Sequence, residues 1–417
     1  MLLKKRQQIF DLLLLFFLFF LSNASAFFYV VWIVPGIVFI GMLIWILLTT
    51  ICVWIMHTHG LLPTFLESLK KIWFLFPFLI FSAFSIFWSV YWEVSLYRWI
   101  TFLCVIITGG YIGLRYDIKK LFNFLSVFGI YILFLSSIVI FLLPNIGIQN
   151  YYIIQGAWKG IFWHKNHMGL IAAFINILFL INIIYTLQSG MKNILSWGLL
   201  YLLSLFFVYQ TDSVAAYFTI IFLHGIILFA LMWLKIKEKI SRLHYLIFLA
   251  VLVLTSLVMF LNLDLLFGVF NRSPTLTGRV PMWSYLFDTY FSERQLGGYG
   301  FNAFWYVDSY RVDIGLAAGY PDPIVIADNG FIDILINTGY IGLFLFSIFY
   351  FGVWWRSIRY AVQVKDIYGF FPVILMSFTL LANVSWSLIF ENEGFFMLIM
   401  ISLLFSTSNR IPAGGGG

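Results

Sequence analysis

Leu121-Phe-Asn-Phe-Leu-Ser-Val-Phe-Gly-Ile-Tyr-Ile-Leu-Phe-Leu-Ser-Ser-Ile-Val-Ile-Phe-Leu-Leu143 contains no charged residue. About 20 helical residues of this kind cross a hydrocarbon core of ~30 Å. Runs like it recur along most of the 417 residues, which are 63% hydrophobic and only 10% charged, with a mean hydropathy of +1.00. That composition excludes a soluble globular domain. The period-2 alternation of a membrane β-barrel is absent, so the backbone must satisfy itself within helices. The expected fold is all-α, a polytopic integral membrane protein.

Working outward from this run, polar breaks divide the chain into about twelve spans of ~20 residues. They fall near 9–22, 29–55, 72–91, 95–113, 121–143, 167–187, 194–210, 213–234, 245–262, 330–353, 369–387 and 390–406. Residues 1–413 read as one transmembrane domain, and Gly414 to Gly417 as an appended tail. Lys4, Lys5 and Arg6 before an apolar run resemble a signal sequence, with Ala24-Ser25-Ala26 in the form of a cleavage site. Because Phe27 opens another apolar run that needs a preceding span to orient it, the first helix is expected to stay uncleaved. Cys52 and Cys104 lie inside apolar runs, where a thiol acts as a small hydrophobe.

Lys and Arg set the orientation. With both termini cytoplasmic, every cytoplasmic segment carries basic residues, and the net charge of +7 follows from topology without a nucleic-acid partner. Of the 24 basic residues, only Arg98, Lys159, Lys165, Arg272, Arg279, Arg294 and Arg311 fall on or near the outer face. Positive charge there opposes the insertion bias, so it requires a reason. Acidic residues, among them Asp212, Asp328, Asp333, Glu391 and Glu393, gather on the same side.

One long polar loop, about 263–329, interrupts the spans. Loops of this length usually bind or react with something. Val280, Trp283, Phe287, Tyr290 and Phe291 recur in it at helical spacing, predicting an amphipathic helix in the interface that seals the bundle or fixes Arg279 at its start. Arg279 could grip a phosphate bidentately. Gly297, Gly298 and Gly300 predict a tight turn. Arg98, just inside its span, is either an interfacial snorkelling residue or an anion clamp. His164, Lys165, Asn166 and His167 open a helix, where free N–H groups and the helix dipole favour an anion. Zinc is the competing reading, but three-residue spacing without a third ligand disfavours it, and Trp158 and Trp163 also serve as interfacial anchors. Asp328 opens the next span as an N-cap or as a general base, with Asn329 and Asp333 on one helix face. Glu391 and Glu393 at the last span are further candidates, with capping as the plain account.

In this order, Gly160-Ile-Phe-Trp-His-Lys-Asn-His-Met-Gly169, Thr277-Gly-Arg279 with Trp283, Gly298-Tyr-Gly-Phe301, Asp328-Asn-Gly-Phe-Ile-Asp333 and Thr338-Gly-Tyr-Ile-Gly342 resemble the O-antigen ligase and polymerase superfamily. The His-Lys-Asn form is closest to Wzy-type and ExoQ-like polysaccharide polymerases. Glu93 to Arg98 and Ser387 to Glu391 resemble that family's short outer-face motifs. The resemblance implies a metal-independent, inverting glycosyltransferase of the GT-C type without a cofactor, in the bacterial inner membrane with its site facing outward. Implied substrates are undecaprenyl-pyrophosphate-linked oligosaccharides as donor and acceptor, and a chain-length regulator is an implied partner. Carried onto this chain, Arg98 and Arg279, with Lys165, Asn166 and Asn329 in support, would hold the pyrophosphate; Asp328, His164 and His167 are the candidate bases, in that order. Arg272, Arg294, Arg311, Asp333 and Glu391 are further polar candidates. The ligases usually place a histidine immediately before the asparagine of the last motif, where this chain has Asp328. Polymerase is therefore the first reading, ligase the second and lipid-linked-glycan transporter the third.

Overall fold

A computed structural model describes residues 35–151, 154–190, 193–236, 278–320, 323–364, 366–389 and 394–408. Two of the twelve expected spans, 9–22 and 245–262, lie outside these residues, as do Arg272, Glu391 and Glu393. Each of the other ten overlaps helical residues among those described. Along the chain run α1 (Pro35–Thr58), α2 (Leu62–Lys71), α3 (Phe76–Phe84), α4 (Trp92–Arg115), α5 (Ile118–Leu142), α6 (Lys165–Ser189), α7 (Ile194–Gln210), α8 (Val214–Ile236), α9 (Arg279–Tyr285), α10 (Asp308–Ala317), α11 (Gly330–Gln363), α12 (Phe371–Ser385) and α13 (Phe395–Ser408). Among the described residues seven helices are long and apolar enough to cross a membrane. An eighth crossing is possible where two helical stretches, Leu62–Lys71 and Trp73–Trp88, meet at 69°. The expected single span at 72–91 is thus one arm of a bent pair. Helices α7 and α13 are apolar but shorter.

Helix α6 is apolar around most of its circumference and is enclosed by neighbours, as expected of a helix without a polar face. Helix α13 is buried throughout its length and packs against α4. Local chemistry sets the ends. Asp117 accepts from the Lys120 amide at 2.7 Å to cap α5, and Gly190 ends α6 in the left-handed conformation. The all-α fold carries one short addition: β1 (Ile148–Tyr151) and β2 (Ile154–Trp158) form an antiparallel hairpin before α6. Short strands this close to a helix start carry no periodic signal long enough to read. The hairpin lays Trp158 edge-on against Phe206 and Phe207 of α7.

The expected span at 330–353 contains a break. Gly339 has φ of 67° and divides α11 into a short first segment and a longer second one. Its freed backbone groups are met by the loop before α10. The amides of Tyr340 and Ile341 donate to the Gln295 and Leu296 carbonyls, while those of Tyr299 and Gly300 donate to the carbonyls of Ile336 and Asn337. Irregular backbone at this depth is tolerated only when protein satisfies it in this way. Gly298, at φ of 64°, has no room for a side chain: a Cβ would lie 2.5 Å from the Asn337 carbonyl carbon. The glycines expected to make a turn do so, against the break in α11.

The amphipathic run takes the expected form only in part. α9 begins at Arg279, passes into a wider π-type turn at Leu286–Tyr290 and ends in a 3-10 turn. Its apolar face packs with Tyr299, Phe304 and Ile336.

Candidate functional site

Alternating helix directions put the starts of α4, α6, α11 and α13 and the ends of α7 and α12 at one end of the bundle, with the segment 278–329. Direct contacts join them there. The start of α6 is capped by His164, whose Nδ1 accepts the Asn166 amide at 3.1 Å. That bond requires an unprotonated Nδ1, so the neutral ring carries its proton on Nε2. Burial, with Arg279, Lys165, His167 and Lys159 nearby, pushes the His164 imidazole down to about 3. His164 is therefore a neutral hydrogen-bond donor at physiological pH. It stacks on Trp386 with centroids 5.3 Å apart, and His167 packs against Trp386 and Phe162.

Lys165 is buried, at 4% exposure, and its ammonium donates to the Asp212 carboxylate at 3.1 Å and the Asp212 carbonyl at 2.8 Å. This lysine is a tie between α6 and the α7–α8 turn, where Asp212 has φ of 45°. The Asn166 side chain is half-buried beside the cap.

Arg279 opens α9. Its Nε donates to Asp328 Oδ2 at 3.1 Å, with the arginine largely buried and the carboxylate partly open. Trp283, one turn on, donates its Nε1–H to the Ala327 carbonyl at 2.7 Å, holding α9 against the loop that carries Asp328. Asp328 has φ of 52° and does not cap α11. Asn329 does, its Oδ1 accepting from the Phe331 and Ile332 amides while its Nδ2 donates to the Val384 carbonyl. A capping asparagine one residue on frees the Asp328 carboxylate to face Arg279. Tyr320 lies nearby; burial raises its phenol, with the Asp328 charge adding to the shift and Arg279 opposing it.

Arg98, at 9% exposure, donates to the Tyr306 hydroxyl at 2.6 Å and lies over that ring. Beside it is a cavity of about 30 Å³, large enough for a water, where the Thr101 hydroxyl has no partner. Arg294 and Arg311 serve the loop itself. Arg294 donates to the Trp88 carbonyl and covers Tyr299, while Arg311 pairs with Asp308 within α10. Asp333 is buried and receives hydrogen bonds from Ala327, Trp305 and Ser387. Among the described residues no three His, Cys, Asp or Glu side chains converge on one point.

Arg279 thus pairs with Asp328 and its charge bears on His164, while Arg98 is set beside Tyr306. Trp386, Tyr306 and Trp305 were not singled out in the sequence. Tyr306 and Trp386 meet Arg98 and His164 across more than 200 residues, and Trp305 meets Asp333 across 28, so no local pattern marks them.

Residues 199–347 match the family model described as O-antigen ligase. The match supports the O-antigen ligase/polymerase superfamily. It includes Arg279, Asp328, Asn329 and Asp333, whereas Arg98 and His164 to His167 lie before it. The family so matched is one of membrane glycosyltransferase-like enzymes acting on lipid-linked glycans, ligases and polymerases alike. No curated protein matches the chain.

Proposed function

We propose that this protein is a polysaccharide polymerase that transfers a polyprenyl-pyrophosphate-linked glycan onto a second lipid-linked repeat unit at the outer face of the plasma membrane. The observation that carries the reading is the Arg279–Asp328 pair beside the neutral His164. Transfer from a polyprenyl pyrophosphate needs positive charge where the leaving group becomes negative. It also needs a base at the acceptor hydroxyl. Arg279 supplies the first, and Asp328 supplies the second once the pyrophosphate has taken its place on the guanidinium. His164 donates its Nε2–H to a substrate oxygen. In this reading Asp328 stays first among the candidate bases and His164 is a donor instead, because the ring nitrogen facing its own helix is already occupied.

The hydroxyl oxygen attacks the anomeric carbon from the face opposite the pyrophosphate, so the configuration inverts. The C–O bond to the pyrophosphate breaks, and the hydroxyl proton passes to Asp328. The donor is already activated, so the scheme uses no nucleotide and no metal ion. Ligase is the second reading, and the aspartate at 328, where ligases usually have histidine, weighs against it.

The test in cells is the surface glycan of a strain lacking the protein, resolved by size. Single repeat units in place of a ladder support polymerase. Loss of attached glycan with long lipid-linked polymer accumulating would establish ligase instead.

A further inference from the structure

Asp333 is a carboxylate at 9% exposure, one turn into α11. Three separate segments donate to it. Its Oδ1 accepts the Ala327 amide at 3.1 Å and the Trp305 indole N–H at 2.6 Å, and its Oδ2 accepts the Ser387 hydroxyl. Each donor adjoins a site residue: Ala327 precedes Asp328, Trp305 precedes the Tyr306 that meets Arg98, and Ser387 follows the Trp386 that stacks on His164. The backbone repeats the pattern. The Asp333 carbonyl accepts from Asn337 Nδ2 at 2.7 Å, and Asn337 Oδ1 accepts the Phe304 amide at 3.1 Å.

A buried carboxylate is weak support for stability, since an apolar residue of similar volume often serves as well. Its location near the helix N-terminus and its three donors offset the cost of burial. What an apolar residue could not do is hold three unrelated loops in one register.

We infer that Asp333 is the positioning residue of the site: it sets Asp328, the Arg98–Tyr306 pair and the Trp386–His164 stack relative to one another without itself meeting substrate. This rests on the glycosyl-transfer reading. The role depends on acceptor geometry rather than on charge. Asparagine keeps an oxygen for Ala327 and Trp305, and the Ser387 hydroxyl can turn to accept from the new amide. Leucine removes all three bonds.

The test compares Asp333→Asn with Asp333→Leu in the full-length protein, by turnover per folded molecule, by KM for the lipid-linked donor and by hydrogen exchange over 323–329 and 384–389. Asparagine is expected to retain turnover within a few-fold. Leucine is expected to lower kcat about a hundredfold, the scale of a 1 Å misplacement, with KM little changed and exchange faster in both segments. Loss of turnover in the asparagine variant, with exchange as in wild type, would make the charge itself the functional element and overturn the inference. So would wild-type exchange and turnover in the leucine variant. If the leucine variant fails to fold, Ser387→Ala and Trp305→Phe each remove one tie, and unchanged kcat and exchange in both would also overturn it. The exchange readout needs no substrate, so it tests the tie even if wild-type protein leaves the donor intact, which would instead refute the transfer reading.

Discussion

Asp328 occupies a left-handed backbone position that asparagine, aspartate and glycine tolerate best, and its carboxylate is held by the guanidinium it must later leave. Replacing it with asparagine keeps the size and the backbone preference but removes the competition for Arg279. Asp328→Asn is expected to abolish transfer while tightening the binding of inorganic pyrophosphate by up to about fivefold, the equivalent of an ion pair worth ~1 kcal/mol. Calorimetric titration of the purified protein measures this, and weaker binding by the variant would separate Asp328 from the anion site. Arg279→Ala is expected to lower turnover by about 10² to 10³, and Arg279→Lys to restore little of it, since an ammonium cannot present the same fork. His164 carries a pH signature. Held at about 3 in the fold, it takes up a proton more readily in the unfolded chain, so its contribution to stability is complete above pH ~6.5 and is lost as pH falls toward 3. His164→Asn keeps a helix cap and removes that titration; melting curves between pH 6.5 and 4 should decline less steeply for the variant than for wild type. At this scale the residue types were legible in the sequence and their partners were not. Arg98 and Tyr306 are 208 positions apart, and nothing local to either announces the other.

At the scale of elements, hydropathy located the long apolar helices because lipid demands ~20 apolar residues in a row, whereas the short polar helices α2 and α10 carry no such signal. It could not locate breaks within the long ones. Thr338-Gly-Tyr-Ile-Gly342 is uncharged throughout, and whether the helix continues through Gly339 depends on the 295–300 loop arriving to accept and donate at the gap. The bend between α2 and the segment after it, and the identity of the α11 cap, were hidden for the same reason: both are settled by tertiary partners. Gly339→Ala is expected to destabilise the protein by about 1–3 kcal/mol through its left-handed backbone and further through a Cβ placed 2.2 Å from the Leu296 carbonyl. A fall in melting temperature together with faster exchange in 295–300 would register both effects. A variant that melts with wild type would show that the gap closes without glycine.

For the whole molecule, Arg98, Lys165, Arg279, Arg294 and Arg311, read from the sequence as opposing the insertion bias, lie with Trp88, Tyr306 and Trp386 at one end of the bundle. The physical reason is general: a cation on the outer side needs a partner or a ligand to justify it. Lys165, Arg294 and Arg311 proved to have structural partners and Arg272 lies outside the described residues, which leaves Arg98, Lys159 and Arg279, the last two with charges that bear on His164. The most direct test of the transfer reading uses purified protein in detergent with a polyprenyl-pyrophosphate-linked oligosaccharide as sole substrate, following free polyprenyl pyrophosphate and the size of the lipid-linked glycan. The account predicts release of the carrier in step with glycan lengthening by whole repeat units, both slowed about 10²- to 10³-fold in Arg279→Ala; donor that stays intact with folded wild-type protein would contradict it.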